Sequence, residues 1–461
     1  MISLDELKKT NFSVSERQGS KLIRIDCVSL SQRVEKEIKN VPINRGSLGV
    51  IFCENTIDWI ISFLAAVNQK ATIILLPKDY DVLAYKKILK NFSPNWVWSS
   101  NKENKNYLEH NLNHYKFLKK DIKKISKLPQ VLLTTSGSTG NAKFVRLSYN
   151  ALRSNANSIV KYLNLNNNDN ALVNLPVSYS YGLSIVNSHL MAGAAIHLED
   201  ISPLNKNFFE VCKNLNITNL NGVPETQVML LKLGFKTKVW PSLRFVTQAG
   251  GNLQKRYKQE MKSLSKLSNF QFFVMYGQTE AAPRISFINL TESNEKQINS
   301  IGKAVPGGSL EILDNTNELV YKGPNVMLGY ANTSDDLDLP DQHKGYLKTG
   351  DIAFKDEDGY YYLTGRLKRI GKLSGKRVNL DDIEKVICEA LKGDVFCIDI
   401  ETGILVAGIR ISTKKLKSAF CALYPNLTLT QVKFRELDQF FYLSNGKPDY
   451  QRFKEFITNG N

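Results

Sequence analysis

What this chain is short of sets its first bounds. It has five histidines in 461 residues, none with a partner at metal-ligand spacing, so no catalytic metal built by the protein alone is expected. Its six cysteines (27, 53, 212, 388, 397 and 421) lie far apart with no C-x-x-C, which points to buried free thiols and away from a zinc site or disulfide framework. Long apolar runs are missing too. The best, Trp59 to Val67, falls well short of the roughly 20 residues that cross a bilayer, and the opening MISLDELKKTNFSV has no signal-peptide core. No membrane span and a cytoplasmic address are expected. Acidic residues are outnumbered, 44 against 61 basic, for a net charge of +17. The excess is dispersed apart from one dense run, Lys116 to Lys127, and no zinc-finger, basic-zipper or RNA-recognition pattern accompanies it. A chain-wide Lys/Asn bias is the plainer account; a nucleic-acid-binding protein is the alternative that charge alone suggests.

At this length, with 42% hydrophobic residues, two domains and a large core are expected. Residues 46 to 98 alternate apolar runs (LGVIFC, ATIILLP, NWVWSS) with helical patterns, the β-α-β-α-β rhythm of a parallel sheet flanked by helices. Residues 99 to 128 are polar and read as a surface insertion or helix. Ser148 to Leu163 reads as a helix capped by Ser148, and residues 172 to 198 as strand, turn, helix, strand.

Chemistry is densest at LLTTSGSTGNAKFVRL (132 to 147). A buried strand empties into Thr135, Ser136, Gly137, Ser138, Thr139 and Gly140, with Lys143 three residues beyond. Glycines let main-chain N–H groups close on phosphate oxygens, hydroxyls donate further hydrogen bonds and the lysine adds charge. A Walker A loop is excluded, because Gly140 is followed by Asn141-Ala142-Lys143. Four further stretches follow in order. They are LRFVTQAGG (243 to 251), FFVMYGQTEAA (272 to 282), the block from Tyr346 to Glu384 containing Thr349-Gly350-Asp351 and Gly365-Arg366, and the closing LSNGKPDYQRF (443 to 453).

Together these resemble the signatures of the adenylate-forming superfamily, over about residues 46 to 455. The resemblance implies an α/β fold: a large N-terminal domain, 1–366, with parallel or mixed sheets flanked by helices, and a small mobile C-terminal α+β domain, 367–461. It implies an ATP- and Mg²⁺-dependent ligase that makes an acyl-AMP from a small carboxylic acid, releases pyrophosphate and passes the acyl group to a thiol. That thiol belongs to CoA or to an acyl carrier protein, which a basic face would suit. A catalytically silent nucleotide binder is the other alternative.

By the same resemblance, residues 135–140 and Lys143 hold the phosphates, and Gly250 and Gly251 let a base or acyl chain lie against bare backbone. Tyr276 stacks on adenine above Gly277, Thr279 donates to the α-phosphate and Glu280 is a Mg²⁺ ligand. Asp351 accepts from the ribose hydroxyls, with Arg366 beside it. Tyr179, Ser180 and Tyr181 line the acyl pocket, Tyr179 standing where histidine is commoner. Lys368 is the hinge, Lys372 and Gly375 belong to a thiolation loop, and Lys447 is the catalytic lysine.

Overall fold

Apolar runs too short for helices become strands buried on both faces. Leu48–Cys53 is buried at all six positions, Thr72–Pro77 lies parallel to it, and Gln130–Thr134 lies parallel to that in turn. The computed structural model describes residues 2–41, 43–100, 115–118, 128, 130–134, 143–367, 369–373, 376–400, 402–424, 429–442 and 448–458.

Two large sheets form. The first runs, in spatial order, Gly329–Ala331, Phe144–Ser148, Gln130–Thr134, Thr72–Pro77, Leu48–Cys53, Trp96–Trp98, Tyr115–Phe117; the strands from Gln130–Thr134 to Trp96–Trp98 are parallel and the outer ones antiparallel. Of the span 99 to 128, expected to be a surface insertion or helix, residues 101–114 and 119–127 lie outside the described residues, and Tyr115–Phe117 is a strand of the sheet. Tyr115 is fully buried, its ring 5.8 Å from that of Trp96, and this burial outweighs the polar composition around it. Gly49 sits beneath Trp96, where a Cβ would come within 2.1 Å of the indole, so no other residue fits.

The second sheet runs Lys303–Ala304, Arg284–Asn289, Gln271–Gly277, Phe245–Gln248, Asn219–Gly222, Asn170–Val173, Ala195–Leu198, Ser13–Gln18, Lys21–Asp26. Its six central to late strands, Gln271–Gly277 to Ser13–Gln18, are parallel. Between the sheets' residues the helix Ile57–Asn68 touches strands of both, and ten of its twelve residues are buried. Thr56 caps it by accepting from Trp59 N–H at 3.2 Å. The helix Tyr149–Leu163 starts at Ser148 as expected, the hydroxyl accepting from Ala151 N–H at 3.0 Å. The fold is α/β, as the sequence implied.

Two compact units divide the chain: residues 1–310 with 321–347, and residues 311–320 with 348–461. In the second, Val395–Ile400, Gly403–Ile409 and Val432–Leu437 form a mixed sheet, accompanied by helices Leu380–Leu391, Thr413–Leu423 and Tyr450–Thr458 and the hairpin Ile370–Leu373/Lys376–Asn379. Asp351 and Arg366 face each other on a separate hairpin, Tyr346–Lys355 with Tyr361–Arg366. The division expected between 366 and 367 falls inside this unit.

Candidate active site

In open α/β sheets ligands gather where strands end, and one end of the nine-stranded sheet is crowded with polar groups. Gln271–Gly277 runs out of its sheet at Tyr276 and Gly277, and a single 3₁₀ turn, Thr279–Ala281, reverses the chain into Arg284–Asn289. Gly277 is obligatory there, since a Cβ would lie 1.8 Å from the Pro283 carbonyl oxygen. The turn is held through its main chain. Asn325 Nδ2 donates to the carbonyls of Ala281 (2.6 Å) and Arg284 (2.9 Å), and Asn155 Nδ2 reaches the same two at 3.5 and 3.2 Å.

This turn brings several expected residues together. The Thr279 and Ser180 hydroxyl oxygens are 3.3 Å apart, Ser180 opening the helix Ser180–Ala192. Glu280 accepts from the Tyr330 hydroxyl at 2.9 Å, and the Lys143 ammonium lies 3.5 Å from the centre of the Tyr330 ring. Lys143 and Glu280 are thus joined through a tyrosine that no motif flagged. Burial and the Glu280 carboxylate together push the Tyr330 phenol up, so it stays a donor.

Gly250 has φ +90°, and a Cβ on it would come within 2.8 Å of the Tyr179 hydroxyl. The bare backbone there makes room for Tyr179. Tyr181 is 1% exposed and held by a directed chain of hydrogen bonds. Buried His189 keeps its proton on Nδ1 for Ile185 O (2.8 Å) and accepts on Nε2 from Asn219 (3.1 Å); burial lowers its pKa and keeps it neutral. Asn221 donates to Asn219 (2.9 Å), Thr247 donates to Asn221 (2.7 Å), and Tyr181 donates to Thr247 Oγ1 (2.7 Å). On the Tyr181 ring, 4.1 Å from its centre, lies the guanidinium of Arg284. Sequence reasoning missed Arg284; the available signal was an arginine opening the otherwise uncharged strand RISFIN, just after the Tyr-Gly-x-Thr-Glu turn.

In the second unit, Asp351 is buried and accepts from Arg366 Nε at 3.1 Å, while the Arg366 side chain is 63% exposed. Thr349 donates to Leu319 O (2.7 Å) and accepts from Asp351 N–H (3.1 Å), fixing the start of the carboxylate's strand turn. Arg369 donates to Glu384 at 2.6 Å, pairs with Asp381 and stacks on Tyr450, whose hydroxyl also donates to Glu384 at 2.8 Å. This cluster joins the residue after Lys368 to the helix that begins three residues after Lys447. Residues 135–140, Lys368, Gly375 and Lys447 lie outside the described residues; Lys372 is in the hairpin strand Ile370–Leu373. Among the described residues no group of three or more His, Cys, Asp or Glu side chains could hold a metal ion, and no helix is long and apolar enough to cross a membrane.

Known proteins share this architecture. The structure of o-succinylbenzoate CoA synthetase (MenE) from Bacillus subtilis, in complex with its acyl-adenylate intermediate, matches 98% of this chain and 97% of its own, with TM-score 0.78 and 17% identity. ATP-bound MatB from Rhodopseudomonas palustris matches 99% of each chain at TM-score 0.77 and 17% identity. Among curated sequences, a probable CoA ligase, CCL9, of Humulus lupulus is 28% identical over 269 residues, 56% of this chain and 50% of its own length. An oxalate–CoA ligase of Arabidopsis thaliana is 24% identical over 400 residues, 78% of this chain and 76% of its own. The match spans about half the length of the first relatives. The profile described as "AMP-binding enzyme" matches residues 38–331, well over half of the chain, and the chain belongs to that family.

Proposed function

We propose that this protein is an ATP-dependent, AMP-forming carboxylate ligase that ends its reaction on a thiol. The observation that carries the reading is the turn after Gln271–Gly277, which gathers Thr279, Ser180, Glu280, Tyr330 and Lys143 at a strand end. A carboxylate oxygen attacks the α-phosphorus of ATP, the bond to the β-phosphate oxygen breaks, and pyrophosphate leaves with the electron pair. A thiol sulfur then attacks the acyl carbon, the bond to AMP breaks, and the thiol proton passes to water. No general base is needed for the first step, since a carboxylate is already ionised near neutral pH.

Both partners of that step are anions, so the protein's work is electrostatic. Thr279 donates to the α-phosphate; Lys143 and the loop 135–140 hold the outer phosphates; Lys447 bridges the attacking and receiving oxygens. Tyr276 and Asp351 hold the adenine and ribose, with Arg366 at the same sugar or a phosphate. Glu280 is a hard oxygen ligand that would suit Mg²⁺ carried on the phosphates. That ion supplies positive charge against the departing pyrophosphate. The small domain, 367–461, turns at Lys368 between a pose presenting Lys447 and one presenting Lys372 and Gly375. CoA and a carrier-protein phosphopantetheine are both suitable acceptors, and the address is cytoplasmic.

The test is pyrophosphate release across a panel of carboxylic acids, with and without CoA. Release that needs an acid, and thioester that needs CoA, is the expected result. Intact ATP binding with no acid-dependent release would make the chain a silent nucleotide binder.

A further inference from the structure

Arg284 holds a charge that its surroundings do not balance. The residue is 3% exposed, and its Nε has no hydrogen-bond partner. No ion pair among the described residues includes it. The guanidinium lies on the Tyr181 ring, is hydrogen-bonded with the Tyr162 hydroxyl, and its charge is felt at the Tyr179 phenol. Burial pushes all three phenols up, Tyr181 to about 12, so each is neutral at pH 7 and contributes no negative charge. Glu225, the carboxylate that acts on Tyr179, is exposed and forms no ion pair with Arg284. A ring face offsets only part of the cost of desolvating a cation, and a buried, unpaired guanidinium is among the costlier features a fold can carry.

The placement says what supplies the missing anion. Arg284 follows the Thr279 turn and faces Gly277 across the two strands. Its ring partner, Tyr181, adjoins Ser180, whose hydroxyl meets Thr279. From an acid whose reacting carboxylate meets the α-phosphate at Thr279, the direction past Ser180 leads to Tyr181 and Arg284. We propose that Arg284 selects the acid, and that the acid carries a second carboxylate which the Arg284 guanidinium receives. A planar guanidinium is suited to that partner, offering parallel N–H donors to two oxygens. The same cation repels an ammonium, so free α-amino acids are excluded from this pocket. The proposal names the substrate class of the ligase reading and rests on that reading only for what becomes of the bound acid.

The test uses the full chain with linear α,ω-dicarboxylic acids and benzene-1,4-dicarboxylic acid, each beside its monomethyl ester, in calorimetric binding and in pyrophosphate release. Wild type should bind at least one diacid about 30-fold or more tightly than its monoester, the scale of a desolvated charge pair. Arg284→Met, which keeps the side-chain stem and drops the charge, should abolish the preference, and Arg284→Lys should restore part of it. Equal binding of diacids and monoesters by wild type, or no diacid binding at all, overturns the proposal, and this comparison needs no variant to fold. A diacid preference in binding without pyrophosphate release sustains the anion site and refutes the ligase reading. Equal release from diacids and monoesters sustains the ligase reading and refutes the site.

Discussion

Arg284 and Arg366 carry the same charge in two regions built on opposite lines. Arg284 is buried in the first unit on the Tyr181 ring with no ion pair among the described residues, whereas Arg366 stands largely in water in the second unit against the carboxylate of Asp351. Arg366 is the exposed member of that pair and Asp351 the buried one, so the guanidinium meets water and not a dry interior when it turns from Asp351 to a sugar or phosphate. A buried guanidinium without an ion pair has no such freedom. With the roles proposed above, the contrast would separate two tasks: selection of the acid by a buried group, and handling of the nucleotide by groups that exchange partners.

That separation can be broken by experiment. The largest effect is expected from Lys447→Ala, which should slow acyl-AMP formation by about 10²- to 10³-fold for every acid alike. ATP binding and the conversion of preformed acyl-AMP to thioester should stay near wild type; retention of more than about a tenth of the adenylation rate would leave Lys447 without its role. Next is Asp351→Ala. Losing a charge-assisted hydrogen bond to the ribose should raise KM for ATP about tenfold to a hundredfold, while the ranking of acids stays as it was. Arg366 is exposed enough to lose its partner without stranding a buried charge. A changed acid ranking in this variant would mean that the two tasks are not separate.

A smaller effect is expected from Tyr330→Phe. Glu280 loses the hydroxyl that orients it, and the apparent Mg²⁺ affinity of the reaction should fall by about tenfold, read from magnesium titrations at fixed ATP. The smallest concerns neither task and serves as a control. Arg153 donates to Glu6 and, with the Ser3 backbone, holds the Glu6 carboxyl at about 2, below its ordinary 4.5. A depressed folded-state pKa gives stability that is present above about pH 4.5 and lost as pH falls towards 2. Both side chains are more than a third exposed, so Glu6→Gln should cost at most about 1 kcal/mol at pH 7 and flatten denaturant stability across that acid range, leaving kinetics unchanged.

The sheets were legible because their signal is local. LGVIFC and ATIILLP can hide their side chains only as central strands, and Ser148 announces its helix by capping it. The backbone of the candidate site was legible for the same reason, since Tyr276 to Glu280 is one contiguous stretch at a strand end. Partnerships across long sequence distance were not. Tyr330 meets Glu280 fifty residues away, and Gly-Tyr-Ala carries no mark of it. The buried state of Arg284 depends on Tyr162, Tyr179 and Tyr181 from another part of the chain, and an arginine at a strand start is ordinarily a surface residue. The chain's opening strands were silent as well: Ser13–Gln18 reads as polar, yet Val14 is fully buried and Ser15 is bonded to His197 on the neighbouring strand.

The two asparagines that grip the turn have a consequence for descent. Asn155 and Asn325 hold position 284 by its carbonyl oxygen, a group every residue has. The turn's shape is inherited through the backbone, and the side chain at its far end is left open to change. A duplicated gene can therefore replace Arg284 with an apolar residue and keep Thr279 and Glu280 where they are. With the acid-selecting role proposed for Arg284, new acids would come within reach of such a lineage by a change at one codon.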